Sequence, residues 1–132
     1  MKLNTSLFLT TITTLTLSTF SSAYTCYETG YQFRDTAQRL EAIDLAYQWC
    51  DQIGRRYFGV DEQVKDCYSD FDNGNARLMV RMKNGHGVAH FLDPEVCKGF
   101  MREIVVNCRR GGMDDVAVGW RARVDPGEGC DA

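Results

Sequence analysis

Six cysteines constrain the fold of this chain more than any other feature of its sequence. All of them fall within residues 24–132, and they are Cys26, Cys50, Cys67, Cys97, Cys108 and Cys130. An even number of cysteines in so short a stretch predicts three disulfides, provided that the protein folds in an oxidising compartment. A core of this size gains from such cross-links, because each typically adds a few kcal/mol by restricting the unfolded chain.

The beginning of the chain carries the pattern of a secretory leader. Lys2 is followed by a short apolar run diluted by threonine, and Ser21, Ser22 and Ala23 are small residues of the kind that a signal peptidase requires. A membrane anchor is disfavoured, because the run is too short to span about 30 Å of hydrocarbon. We therefore expect a signal peptide at residues 1–23 and one secreted cysteine-rich domain at residues 24–132, with no membrane span.

Charge argues against nucleic acid as a partner. The formal net charge is −3, and loss of Lys2 with the leader makes the mature charge −4. A mildly acidic chain is a poor general binder of nucleic acid, although a local basic face could still exist.

Two helices are predicted from capping signals and periodicity. Asp35 caps the first, Gln38 completes a capping-box pattern, and Gly54 ends it. Leu40 belongs to the apolar stripe of this helix, and Gln38 faces away from it. The second helix opens at Asp93 and Pro94, and it ends at Gly111-Gly112.

The remaining segments favour strands. They are Tyr24–Phe33, Arg55–Val60, Gln63–Phe71, Ala76–Lys83, Gly87–Leu92 and Val116–Val124. Asn-Gly steps at Asn73 and Asn84 suit hairpin turns, so Gly87–Leu92 is expected to return beside the strand before it. This order predicts an α+β fold, a disulfide-stapled two-layer sandwich in which two helices cover an antiparallel sheet of about four strands. A split βαβ arrangement is the simplest topology of this kind.

Geometry narrows the disulfide pairing without fixing it. Cys97 and Cys108 are separated by about 16 Å along one helix, so they cannot pair, and about twelve of the fifteen connectivities remain. In a split βαβ sandwich the helices run antiparallel, which favours Cys50–Cys97. In the same topology the start of the first strand would lie near the end of the last strand, which favours Cys26–Cys130. Cys67–Cys108 is then the remaining pair.

Neither a metal site nor a catalytic site is predicted. On a strand, His86 and His90 would lie about 13 Å apart, too far for one ion. Ser69 is the sole serine after the leader, and the cysteines are expected to be oxidised. A ribonuclease-like site using a histidine with Glu95 or Glu103 is conceivable, but solvated helix acids explain these residues better. We expect no enzyme activity and no cofactor.

Basic side chains recur on one side of each of two predicted strands. Arg77, Arg81 and Lys83 share one side of the first strand, and Arg121 and Arg123 share one side of the last. If the strands share a sheet, these residues form a candidate surface for an acidic partner. The alternative is that long charged side chains only keep an open sheet face soluble. Trp120 is expected to face inward and anchor the last strand.

Trp120-Arg121-Ala122-Arg123 is similar to the Trp-Arg-x-Arg/Lys motif of the avirulence (LARS-type) effectors of plant-pathogenic fungi. The leader, the six cysteines and the element order resemble those small secreted proteins as well. The resemblance implies a disulfide-stapled α/β sandwich that acts in the apoplast or in host cells and is sensed by host resistance proteins.

The leading hypothesis is therefore a non-enzymatic virulence or avirulence effector that acts as a monomer. Its expected partners are a host plant protein and a host immune receptor. A killer-toxin-like or antimicrobial secreted protein is the alternative, since such proteins share a similar size and architecture. A secreted hydrolase or ribonuclease is the third hypothesis.

Overall fold

The computed structural model describes residues 24–114, 119–127 and 130. Its elements follow in the order β1 (Tyr24–Cys26), α1 (Thr36–Ile53), β2 (Arg56–Phe58), β3 (Gln63–Tyr68), β4 (Arg77–Asn84), β5 (His90–Leu92), α2 (Pro94–Asn107), β6 (Gly112–Asp114) and β7 (Trp120–Gly127), with a short 3-10 turn at Phe71–Gly74. The predicted signal peptide and residues 116–118 of the predicted last strand lie outside the described residues.

Both helices form where the capping signals place them. The Asp35 carboxylate accepts a hydrogen bond from the Gln38 N–H at 2.9 Å, and the Asp93 carboxylate accepts one from the Glu95 N–H at 2.9 Å. These bonds satisfy amide groups that a helix start leaves without intrahelical partners. Pro94 follows as the first residue of α2, where its missing N–H costs nothing.

Five strands form one antiparallel sheet in the order β1-β6-β7-β4-β3. The predicted α+β class is thus confirmed, with five strands in the main sheet instead of about four. The split βαβ topology is wrong, because β1 lies at an edge while β7 lies inside the sheet between β6 and β4. The first strand therefore pairs with β6, the strand that follows α2, and β6 separates it from the last strand.

The core lies between the sheet and the two helices. Strand residues Leu78, Val80, Met82, Ala122 and Val124 are buried on the inner face, as the alternation predicts. On α1 the buried stripe is rotated from the predicted one. Leu40 is exposed and Gln38 is buried, because the amide of Gln38 is held by neighbouring polar groups.

The segment before α2 does not return beside β4 as predicted. Strand β5 instead pairs with β2 in a separate two-stranded sheet, in which Tyr57 lies opposite Phe91 and Phe58 lies opposite His90. No tight hairpin forms at Asn84, whose side chain is buried and bonded to several backbone groups.

Three disulfides staple the fold, and the structure corrects two of the predicted pairs. Cys50–Cys97 is confirmed, with Cα atoms 5.7 Å apart, since α1 ends where α2 begins. The pairs Cys26–Cys130 and Cys67–Cys108 are wrong. The structure instead links Cys26 to Cys108 and Cys67 to Cys130, at Cα separations of 5.1 and 5.6 Å.

The sheet order explains the correction. Strand β1 pairs with β6, so that Cys26 lies opposite Gly112, close to the end of α2 where Cys108 is found. Cys67 lies on β3 at the far edge of the sheet, on the side away from the helices.

Within the described part of the chain, no helix has both the length and the apolar character that a membrane crossing requires.

Candidate functional site

The predicted basic strands are neighbours in the sheet. Arg81 lies directly opposite Arg123, and Lys83 lies directly opposite Arg121. Strand β3 adds Lys65, which lies opposite Arg81 on its other side. We call these five residues, on the side of the sheet away from the helices, the basic face.

In the basic face, residues of like charge lie directly opposite each other on neighbouring strands. Lys65, Arg81 and Arg123 form one row over three adjacent strands, and Lys83 and Arg121 begin a second row beside it. Like charges directly opposite each other reduce the stability of a sheet. The register of β3, β4 and β7 thus gathers five cations on one side of the sheet.

Arg123 is the most constrained member of the basic face. Its Nη2 lies 3.1 Å from the Asp125 carboxylate, and its guanidinium carbon lies 5.5 Å from the ring centre of Tyr27. The two charged side chains are 29% and 20% exposed. This partial burial fixes the guanidinium, whereas Lys65 is exposed and Lys83 is half-buried.

Arg77 stands apart from these rows. It is exposed at the start of β4, where it lies opposite Gly127 at the end of β7. Of the predicted basic residues, the structure therefore brings four together and places Arg77 at the far end of the same pair of strands. Sequence reasoning missed Lys65, because the register of β3 against β4 cannot be read from a weakly patterned edge strand.

Trp120 is buried, as predicted, and it is 6% exposed. Its ring meets Phe58 edge to face at 5.3 Å, and it also meets the two histidine rings edge to face at 5.1 and 5.7 Å. It thus joins the start of β7 to the small β2–β5 sheet and to the loop that precedes β5. The tryptophan of the Trp120-Arg121-Ala122-Arg123 segment therefore has a packing role.

The two histidines lie together, contrary to the predicted separation of about 13 Å. The rings of His86 and His90 are stacked with their centres 3.7 Å apart and 5° between their planes. The prediction failed because His86 belongs to a loop and not to a strand, and Gly87 has a φ of +79° in that loop. Among the described residues, no group of three or more potential ligands surrounds a metal position.

Burial lowers the pKa of His86, and the charge of His90 lowers it further. Its Nδ1 lies 2.8 Å from Asn84 Oδ1, so the neutral ring donates this hydrogen bond. In the adjacent small sheet, Arg56 lies over the ring of Phe58 at 4.1 Å and is paired with Glu62 at 2.8 Å.

This environment predicts a loss of stability in mild acid. The unfolded chain binds a proton at His86 more tightly than the folded protein does, so the free energy of unfolding falls as pH drops below about 6.5. We expect the melting temperature to fall between about pH 7.5 and 5.5, and this fall to shrink in His86→Gln. Thermal unfolding followed by circular dichroism measures both, and an equal fall in the variant would contradict the assignment. The pKa values of the Asp35 and Glu62 carboxyl groups are lowered, so their effect on stability falls below this pH range.

The helix acids considered for catalysis are engaged within α2. The Glu95 carboxylate accepts a hydrogen bond from Lys98 Nζ at 3.2 Å, and that of Glu103 accepts one from Asn107 Nδ2 at 3.1 Å. These contacts agree with the interpretation of both acids as solvated helix residues.

A scan of the sequence against protein-family models gives no match, and a search of curated proteins gives no matching relative.

Proposed function

We propose that this protein is a secreted effector of a plant-pathogenic fungus that binds a host protein as a monomer, without catalysis, and is recognised by host resistance proteins. The proposal places it in the apoplast or inside host cells. Its support from the sequence is the predicted signal peptide and the similarity of Trp120-Arg121-Ala122-Arg123 to the effector motif. Three disulfides are compatible with an extracellular protein.

The basic face is the single observation that carries the binding hypothesis. Its five cations lie on three adjacent strands of a protein whose net charge is negative. Such a local field attracts an acidic surface and accelerates association with it. The expected partner is therefore a host protein that presents clustered carboxylates.

A double charge reversal tests this hypothesis without threatening the fold. In Lys65→Glu with Lys83→Glu, each new carboxylate lies opposite a cation, Arg81 or Arg121, and opposite charges at facing positions favour a sheet. We expect normal folding but association about tenfold slower or more with the host partner. The measurement is surface plasmon resonance with the partner recovered from infected tissue, together with cell death after transient expression in a resistant host.

The matched control reverses the same number of charges outside the basic face. Arg55→Glu with Arg102→Glu changes two exposed cations outside the sheet, one after α1 and one on α2. We expect this variant to bind as the unmodified protein does. Equal binding by both double variants would contradict the basic-face hypothesis. Growth inhibition of fungi or bacteria by the purified protein would instead support the toxin alternative, and RNA degradation would support the enzymatic one.

A further inference from the structure

A continuous groove crosses the surface beside the end of β7. It consists of two open depressions of about 570 and 480 Å³ that share Tyr31 and Gly127. The first lies between the segment 27–31 and the end of β7, and the second extends from Tyr31 to the start of β4. We call it the tyrosine groove and define it by Tyr27, Tyr31, Arg77, Arg123, Asp125 and Gly127. Its size is that of a small-molecule or oligomer site.

The two tyrosines are fixed before any ligand arrives. The hydroxyl of Tyr31 accepts a hydrogen bond at 2.6 Å from Nε2 of Gln38, which is buried. Gly127 keeps the chain close beneath this ring, since a Cβ there would lie 2.5 Å from Tyr31 Cβ and the residue has a φ of +104°. Arg123 holds the ring of Tyr27 from one side. Both rings are half-buried, and each therefore keeps part of its surface open to solvent.

Two buried polar atoms at this groove lack partners. Within the described residues, the Tyr27 hydroxyl and Arg123 Nε have no hydrogen-bond partner, and both atoms are shielded from solvent. Burial also raises the pKa of Tyr27, which keeps its hydroxyl neutral. Such atoms are costly unless a ligand or ordered water satisfies them.

The charges around the groove balance. Among the described lining residues, the carboxylates of Glu28 and Asp125 are matched in number by the guanidinium groups of Arg77 and Arg123. A strongly acidic or basic ligand gains nothing from this balance. A sugar does, because each hydroxyl both donates and accepts, and the Arg123–Asp125 pair presents donors and acceptors side by side. Aromatic rings complete the match, since they bind the C–H faces of sugar rings.

We propose that the tyrosine groove binds a neutral oligosaccharide. This inference goes beyond the proposed host-protein binding. The groove shares Arg123 with the basic face, but neither Lys65 nor Lys83 lines it, so the two proposals can be tested separately.

Nuclear magnetic resonance titration of the mature ¹⁵N-labelled protein tests it, with cellotetraose, chitotetraose and maltotetraose as probes at millimolar concentration. We expect at least one of them to shift the amide signals of the tyrosine groove. Tyr27→Ala should weaken that binding about tenfold through loss of the ring contact. Thr29→Trp should abolish it by filling the first depression, and Thr29 is exposed, so this variant serves if Tyr27→Ala does not fold. Tyr57→Ala is the control, since it removes a tyrosine that is 69% exposed outside the groove.

Three outcomes would overturn the proposal. The first is the absence of groove shifts with all three sugars. The second is binding that Thr29→Trp leaves unchanged. The third is a groove that responds to an aspartate-rich peptide and to none of the sugars. Because Lys65→Glu with Lys83→Glu leaves the groove intact, its sugar binding should be unaffected, and failure of either proposal can be told from failure of the other.

Discussion

Removing the Cys50–Cys97 disulfide by a double change to alanine should lower the free energy of unfolding by about 4 kcal/mol or more. The two cysteines are 47 residues apart in sequence, and both are 0% exposed. Chain entropy alone gives about 4 kcal/mol for a loop of this length, and the cavity left by the two sulfur atoms adds to it. In a domain of this size the melting temperature should fall by more than 15 °C, at about 4–8 °C per kcal/mol.

The Cys67–Cys130 disulfide provides the matched control. It closes a longer loop, with a sequence separation of 63, but Cys67 is exposed on the open side of the sheet. Chain entropy alone therefore predicts that its loss costs slightly more than loss of Cys50–Cys97. Burial predicts the opposite order. We therefore expect that loss of the buried Cys50–Cys97 disulfide lowers stability more than loss of Cys67–Cys130. Thermal unfolding of both double-alanine variants decides between them, and a larger effect at Cys67–Cys130 would contradict our account of the core.

Local signals in this sequence predict local structure well. Asp35 and Asp93 locate both helix starts, and alternation places Leu78, Val80 and Trp120 on the buried side of their strands. Each of these predictions depends on neighbours within a few residues. The helix caps and the inner face of the sheet follow from them.

Strand order could not be obtained in the same way. Placing β1 at the edge and β7 inside the sheet depends on which strands pair across more than 80 residues, and no turn signal encodes that choice. Both wrong disulfides follow from this single error, because Cys26 and Cys130 were expected on neighbouring strands. Cys50–Cys97 was predictable, since it needed only that the two helices run antiparallel.

The basic face, too, could be predicted from the sequence only in part. Alternation assigned Arg81, Lys83, Arg121 and Arg123 to one side of their strands, but their pairing into rows and the addition of Lys65 required the register. The groove was beyond sequence reasoning, because Tyr27 and Tyr31 meet the end of β7 only through the pairing of β1 with β6.

Asn84 is the residue whose sequence pattern was most misleading. An Asn-Gly step indicates a tight hairpin, yet Asn84 is 0% exposed and lies at the end of β4. Its Nδ2 donates to the carbonyl oxygens of Phe58, Gly59 and Val88 at 3.1, 2.9 and 2.8 Å. Its Oδ1 accepts from the His86 N–H at 3.0 Å. One side chain thus joins β4, the small sheet and the histidine loop.

Asn84→Ala should therefore lower the free energy of unfolding by about 3 kcal/mol, because several buried backbone groups lose their partner at once. Asn84→Asp should be similarly harmful, since a carboxylate accepts from His86 but cannot donate to the three carbonyl groups. Asn75→Ala is the control, because Asn75 is exposed, and its effect should stay within about 0.5 kcal/mol. Urea unfolding followed by tryptophan fluorescence measures all three, and hydrogen exchange should show faster exchange at His86 in both Asn84 variants. A stable Asn84→Ala protein with an unchanged loop would mean that the stacked histidines and Trp120 hold this end of the molecule without the amide.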